Sequence, residues 1–135
     1  MEIIVLEGFS NTGKTTTIGI LYNLLLSNGG ISTNKQALGR DPNDFSDIVI
    51  NYKNLKIGIF SMGDNSTAIS QGIVNFNNQN CDVFICSLST GTPKVRANNR
   101  INRFQNIRIP KTIASQNITE NQANNNDANR LFGLI

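Results

Sequence analysis

The chain contains no histidine. That absence removes a Ser-His-Asp triad, an imidazole general base and every imidazole metal ligand. Proton transfer must then fall to carboxylates, to water or to a substrate. Cysteine is almost missing too, with only Cys81 and Cys86. They bracket or sit in an apolar, strand-like run and, five positions apart, face opposite sides of a strand. Two buried free thiols in a reducing compartment are expected, with no mutual disulfide. No other soft ligand is at hand to make a metal site with them. No apolar run approaches the length of a membrane span. The amino terminus has no basic segment followed by a long apolar stretch, so no signal peptide is read. The expectation is a cytoplasmic protein without membrane contact.

What is present is one domain's length of chain, 135 residues with a net charge of +3. Residues 1–135 read as a single domain, large enough for a core but without room for a separate substrate domain. The most informative stretch is Gly8 to Thr15, G-F-S-N-T-G-K-T. It fits the phosphate-binding pattern G-x-x-x-x-G-K-[ST] without a break. Ile3-Ile4-Val5-Leu6 before it is β-branched and apolar, as a buried strand should be. Ile18, Leu21, Tyr22 and Leu25 after it fall on one helical face. In such a loop, glycines turn the backbone so that N–H groups point inward. The helix start near Gly13 adds a positive dipole end. Gly8, Ser10, Asn11, Thr12, Gly13, Lys14, Thr15 and Thr16 are the expected nucleotide contacts. Lys14 would meet the β- and γ-phosphates, Thr15 would ligate Mg²⁺, and Thr16 would reach an α-phosphate. Magnesium would arrive with the nucleotide.

Further along, Gly29-Gly30 should end the first helix. Ile31 to Phe45 reads as a connection containing the turn-prone Arg40-Asp41-Pro42. Asp47–Tyr52 and Leu55–Met62 read as strands joined by Lys53-Asn54, a hairpin and hence one antiparallel strand. Ser66–Asn78 reads as a helix capped by Ser66 or Thr67. Asp82–Leu88 reads as an inner strand. A helix should follow the cap-and-proline pair Thr92-Pro93. Ile107–Ser115 reads as a last strand weakened by Pro110, and Thr119–Leu134 as a helix opened by a Thr119/Gln122 capping box. The fold class expected is α/β: a three-layer sandwich around a mostly parallel sheet of about five strands, with one antiparallel edge strand.

Ligands in such sheets bind at the carboxyl ends of the strands. Asp64, delivered by the apolar run Ile57–Met62 and freed by Gly63, is the candidate magnesium carboxylate. Its alternative is a turn that caps the next helix. Glu7 could position a water or accept a proton, or could simply be ion-paired at a strand end. Asp41 and Asp44 are weaker acidic candidates on the connecting loop, and Arg40 beside them is a candidate phosphate contact. Lys94, Arg96, Arg100, Arg103, Arg108 and Lys111 lie in a stretch with no acid. Arg96, Arg100 and Arg103 share a helical face. They could clamp nucleotide phosphates, hold nucleic-acid phosphates, or form a solvated basic face.

The segment L-E-G-F-S-N-T-G-K-T-T-T-I resembles the P-loop NTPase superfamily. It is most similar to the branch of partition ATPases, signal-recognition GTPases and dethiobiotin synthetase, and its E-G opening is shared with nucleoside and thymidylate kinases. The specific match covers about the first thirty residues. The resemblance implies phosphate contacts from Gly8 to Thr16 and magnesium held through Thr15 and Asp64. The superfamily's guanine-reading N-K-x-D is missing near Ile113-Ala114-Ser115-Gln116, which points to ATP or another nucleotide over GTP. The early lysine of partition ATPases is missing from positions 9 to 12.

The leading expectation is thus a Mg²⁺-dependent protein that binds a nucleoside triphosphate and hydrolyses it or transfers its γ-phosphate to a small acceptor. Lys14, Asp64 and Glu7 are the candidate catalytic residues. A nucleotide-dependent switch stimulated by a protein partner is the first alternative. Nucleic-acid binding through the basic helix is the second, disfavoured because no aromatic platform is interleaved with the charges.

Overall fold

Ile3-Ile4-Val5-Leu6 can be apolar without alternation only if helices cover both faces of its sheet, and they do. In the computed structural model, which describes residues 1–135, this run forms the middle of β1 (Glu2–Phe9). The chain continues through α1 (Lys14–Ser27), β2 (Ile31–Ser32), β3 (Gln36–Ala37), β4 (Phe45–Tyr52) and β5 (Leu55–Phe60). Then follow α2 (Ser66–Asn78), β6 (Val83–Thr90), α3 (Val95–Ile101), β7 (Asn106–Pro110) and α4 (Glu120–Phe132). The fold is α/β, with a mixed 7-stranded sheet in the order β2-β4-β5-β6-β1-β7 and β3 also paired to β4.

β5, β6, β1 and β7 are mutually parallel. β4 runs antiparallel to β5, as the hairpin required. It is not the edge that was expected, because β2 and β3 pair antiparallel along its other side. Both arise from the Ile31–Phe45 stretch read as pure connection. Two residues are too few to show a period of two, which is why about five strands were expected and 7 are present. The hairpin link Lys53-Asn54 has φ values of 50° and 57°, the left-handed pair that a tight hairpin turn needs.

Alternation along β1 divides the core. Ile4 and Leu6 pack with Ile18, Leu21 and Leu25 of α1 and with Ala128 and Leu131 of α4. Ile3 and Val5 pack with Ile69 and Ile73 of α2 and with Ala97 and Ile101 of α3. Ile18, Leu21 and Leu25 are fully buried, each contributing about 1.5–3 kcal/mol through area removed from water.

Helix starts match the sequence less well than helix bodies do. α4 opens with the expected reciprocal box between Thr119 and Gln122. α2 is capped by Asn65, whose Oδ1 accepts from the Ala68 N–H at 2.9 Å, and not by Ser66 or Thr67. The Ser66 hydroxyl instead accepts from the Ala97 N–H at 2.9 Å, tying α3 to α2. α3 begins two residues later than Thr92-Pro93 suggested, because the Thr92 hydroxyl accepts from Lys94 Nζ and is not free to cap. β7 stops at Pro110, short of the expected Ser115. No helix is long and apolar enough to cross a membrane.

The register sets up the site. Gly8 lies beside Ser89 and Phe9 beside Thr90, at the carboxyl ends of β1 and β6. α1 leaves β1 on one face while α3 leaves β6 on the other. Neighbouring strands with helices departing to opposite faces leave a crevice at that edge, where open α/β sheets receive ligands.

Candidate functional site

The loop between β1 and α1 turns on Asn11 at φ 60° and Gly13 at φ 92°. Successive left- and right-handed residues aim consecutive N–H groups into one concavity. The N–H groups from Ser10 to Thr16 find no acceptor among the protein atoms. Those of Lys14, Thr15 and Thr16 belong to the first turn of α1, where no intrahelical partner exists and which itself contains no acidic residue. The loop is braced from behind. Thr12 Oγ1 donates to the Phe9 carbonyl at 2.7 Å, and Thr17 Oγ1 to the Gly13 carbonyl at 2.8 Å. Asn124 of α4 presses so closely that a Cβ on Gly13 would lie 2.4 Å from its Oδ1.

Lys14 is buried, and its Nζ donates to the Phe9 carbonyl at 2.6 Å. Burial holds its pKa below the ordinary lysine value; Asp64 opposes that shift while Lys111 and Lys94 add to it. The ammonium therefore sits in a place that rewards a closer anion.

A cavity of about 320 Å³, without a hydrophobic side chain, opens over the loop. Gly13, Lys14, Thr15 and Thr16 line it together with the acids Asp41, Asp44, Asp64 and Glu120. The Gly63-Asp64-Asn65 turn does cap α2, through Asn65, which leaves the Asp64 carboxylate to the cavity. Its Oδ1 accepts from Ser89 Oγ, and from Ser10 Oγ at 3.3 Å. Gly63 lets the segment lie against β6: a Cβ there would be 2.6 Å from Ser87 Oγ.

The carboxylate that touches Thr15 is a different one. Thr15 Oγ1 donates to Asp44 Oδ1 at 3.1 Å, and Ser61 Oγ to the same oxygen at 3.1 Å. Burial raises the Asp44 pKa, the two hydroxyls pull it back, and the nearby charges of Asp41 and Asp64 raise it further. In the sequence Asp44 ranked below Asp64 because it follows a loop and no apolar strand. Its signal was its place directly before the buried start of β4.

Other expected residues lie elsewhere. Glu7 belongs to β1 itself, and its parity with Ile3 and Val5 turns it to the α3 face. There Arg108 donates to it at 2.5 Å and also to Asn98 Oδ1 at 2.8 Å. It is an ion-paired strand end outside the cavity. Arg40 is exposed, makes no hydrogen bond or ion pair and lines no part of the loop cavity. Arg96 and Arg100 line a separate concavity between α2 and α3. Gly8 ends in β1 against Lys111, whose Cβ would lie 2.9 Å from a Cβ at that position. The supports that sequence reasoning missed, Ser87, Ser89, Asn124 and Glu120, are polar residues that no motif marks.

Both cysteines are free and buried. Desolvation pushes the Cys81 thiol up to about 11 and the Cys86 thiol to about 12, so neither is a nucleophile at neutral pH. No group of three or more Cys, Asp or Glu side chains is arranged to hold a metal ion by itself. Comparison with protein-family models, with curated proteins and with solved structures finds no match to this chain.

Proposed function

We propose that this chain is a small P-loop nucleotide-binding protein that takes a nucleoside triphosphate together with magnesium. ATP is favoured over GTP. It hydrolyses the nucleotide or passes the γ-phosphate to a small acceptor. The observation that carries this reading is the run of unpaired N–H groups from Ser10 to Thr16 gathered around Lys14. Free donors, a helix start and a buried ammonium are the components of a polyphosphate cradle. A triphosphate would draw Lys14 Nζ off the Phe9 carbonyl and offset the cost of burying its charge. The helices on both faces and the strand–loop–helix start support a P-loop NTPase-like arrangement.

The acids support magnesium as part of the ligand. Asp41, Asp44, Asp64 and Glu120 outnumber the one lysine in the cavity and would repel an uncomplexed triphosphate. The donor set nearest the loop is all oxygen: the Thr15 hydroxyl with Asp44 and Asp64. Such hard donors suit a cation that keeps waters and phosphate oxygens as most of its ligands. Bound there, magnesium would neutralise charge on the β- and γ-phosphates. Of the chain's own residues, Thr15 and the carboxylates would orient the complex, the loop amides would bind the phosphates, and Lys14 would hold the transferring group. Glu7 is not assigned proton transfer, because Arg108 engages it on the other face of the sheet.

Titration calorimetry with ATP and Mg²⁺ tests the reading. Lys14→Ala should weaken binding by about tenfold to a hundredfold, the value of a charge-assisted hydrogen bond, with the far-ultraviolet spectrum unchanged. Undiminished affinity in that variant sinks the proposal.

A second reading, a nucleotide-dependent switch, is favoured by the contact of Asp44 with Thr15. The segment from Leu38 to Asp44 rests on the hydroxyl that would change partners when nucleotide binds, so it could reorder with nucleotide state. Slow turnover accelerated by a protein partner would select this reading. Phosphorylation of an added small molecule would select the first.

A further inference from the structure

On the sheet face opposite α1, a shallow concavity of about 340 Å³ opens between α2 and α3. Arg96, Arg100 and Arg103 converge on it from α3 and the turn that follows, and Thr67, Ser70 and Gln71 from α2. It has no hydrophobic side chain and no acid. None of the three arginines has an ion-pair partner, because the ion pairs of the chain engage Arg108, Lys111 and Arg130. Arg100 is steered inward by its Nε–H bond to Ser70 Oγ at 3.3 Å. Like charges brought together on one helix flank without a counter-charge are destabilising, and an anion would reverse that.

The other cations of the same stretch decide the kind of anion. Lys94 is buried and donates to Thr92. Arg108 is paired with Glu7, and Lys111 with Asp127. The unspent positive charge is therefore a single spot and not a track. A nucleic-acid strand needs a track of cations and gains from aromatic stacking, and this surface has neither.

We propose that the α2–α3 concavity is a second anion site, separate from the P-loop, that takes the phosphoryl group of a small phosphorylated molecule. A phosphomonoester carries about two negative charges at neutral pH. Guanidinium forks match its oxygens in bidentate geometry, and the hydroxyls and the Gln71 amide add directional donors. Thr67 lies in the first turn of α2, three residues beyond Asp64, and Ser66 binds the α3 backbone. An occupant would thus sit on the helix pair whose near end borders the nucleotide cavity. The proposal does not require that cavity to bind nucleotide.

The full-length protein, labelled with ¹⁵N, would be titrated with inorganic phosphate, with phenyl phosphate and with a single-stranded oligothymidylate. Saturable shifts of the Arg96, Arg100 and Arg103 Nε–H signals and of the Ser70 amide are expected with both phosphates. They should persist in Lys14→Ala. Arg100→Ala should weaken binding by about tenfold or more, and Arg100→Lys should restore only part of it because the fork is lost. Arg96 and Arg103 are exposed, so Arg96→Ala/Arg103→Ala tests the site without opening the core. Three outcomes overturn the proposal. Shifts confined to Gly8–Thr16 and lost in Lys14→Ala would return the phosphate to the P-loop. Absence of saturable shifts would leave no second site. Tighter, steeply salt-dependent oligothymidylate binding that is lost in the double variant would make this a nucleic-acid surface.

Discussion

At the scale of single residues, Gly13 has the least freedom to change. Its φ of 92° and ψ of 17° lie in the left-handed region, which costs an L-residue roughly 1–2 kcal/mol. A methyl group there would also meet Asn124 Oδ1 at 2.4 Å. Asn124 is buried, with its Oδ1 3.4 Å from Thr17 Oγ1, so it has little room to yield. Gly13→Ala should therefore lower stability by about 2–3 kcal/mol, backbone strain and overpacking together. Urea denaturation would measure it. Adding Asn124→Gly should recover only the steric part, because the dihedral cost remains. Full recovery would mean that the left-handed turn is not what makes glycine necessary.

At the scale of elements, α4 does more than its polar sequence suggests. Its Asn124 backs the loop, its Asp127 anchors the chain after β7, and its Ala128 and Leu131 complete the α1 side of the core. Yet it enters the fold through one capping box, with Gln122 N–H donating to Thr119 Oγ1 at 3.1 Å and Thr119 N–H to Gln122 Oε1 at 2.9 Å. Thr119→Ala should cost about 1 kcal/mol, seen as a lower denaturation midpoint at unchanged slope. A changed slope would indicate that α4 detaches separately from the rest. This box was legible because both of its residues lie in sequence at fixed spacing. So were α1 and the body of α2, whose buried residues recur at helical period, and the hairpin, whose two-residue link admits one geometry. β2 and β3 were not, since two residues carry no period. The caps of α2 and α3 were misread because Ser66 and Thr92 bond to partners outside their own helix starts. The shared face of Arg96, Arg100 and Arg103 was legible from helical spacing, but which cavity that face borders was not; for Glu7 the ion-paired reading is the one that holds. The parity of Glu7 with Ile3 and Val5 was readable, whereas the engagement of Arg108 and Lys111 elsewhere needed the third dimension.

At the scale of the whole molecule, one buried ion pair joins the outer strand to the helix that braces the loop. The side chains of Lys111 and Asp127 are both fully inaccessible, with Nζ 3.2 Å from Oδ2. Asp127 also accepts from the Thr112 N–H at 2.7 Å, the Thr112 hydroxyl at 2.6 Å and Arg130 at 3.4 Å. Burial alone would raise its carboxyl pKa. The Thr112 and Lys111 hydrogen bonds and the Lys111 charge outweigh burial and hold it below the ordinary carboxylate range. The folded protein then binds fewer protons at this site than the unfolded chain does. Its stabilisation is complete above the unfolded value of about 3.9 and is lost as pH falls through the lower folded value. Asp44 acts with the opposite sign. Its pKa is raised in the fold, so its contribution is favourable below the unfolded value and lost as pH rises through the raised one. Asp127 should therefore govern the acid limb of stability, with Asp44 softening it. Asp127→Asn should flatten that limb and cost about 3–5 kcal/mol at neutral pH, because Lys111 is left buried without its counter-charge. Lys111→Met added to that variant should restore much of the loss, since an apolar side chain of similar length removes the stranded charge. Denaturant titrations at several pH values would measure both effects. An acid limb as steep in Asp127→Asn as in the parent would place the titrating group elsewhere, and a double variant no more stable than the single one would show that the Thr112 hydrogen bonds, and not the ion pair, hold α4 to the sheet.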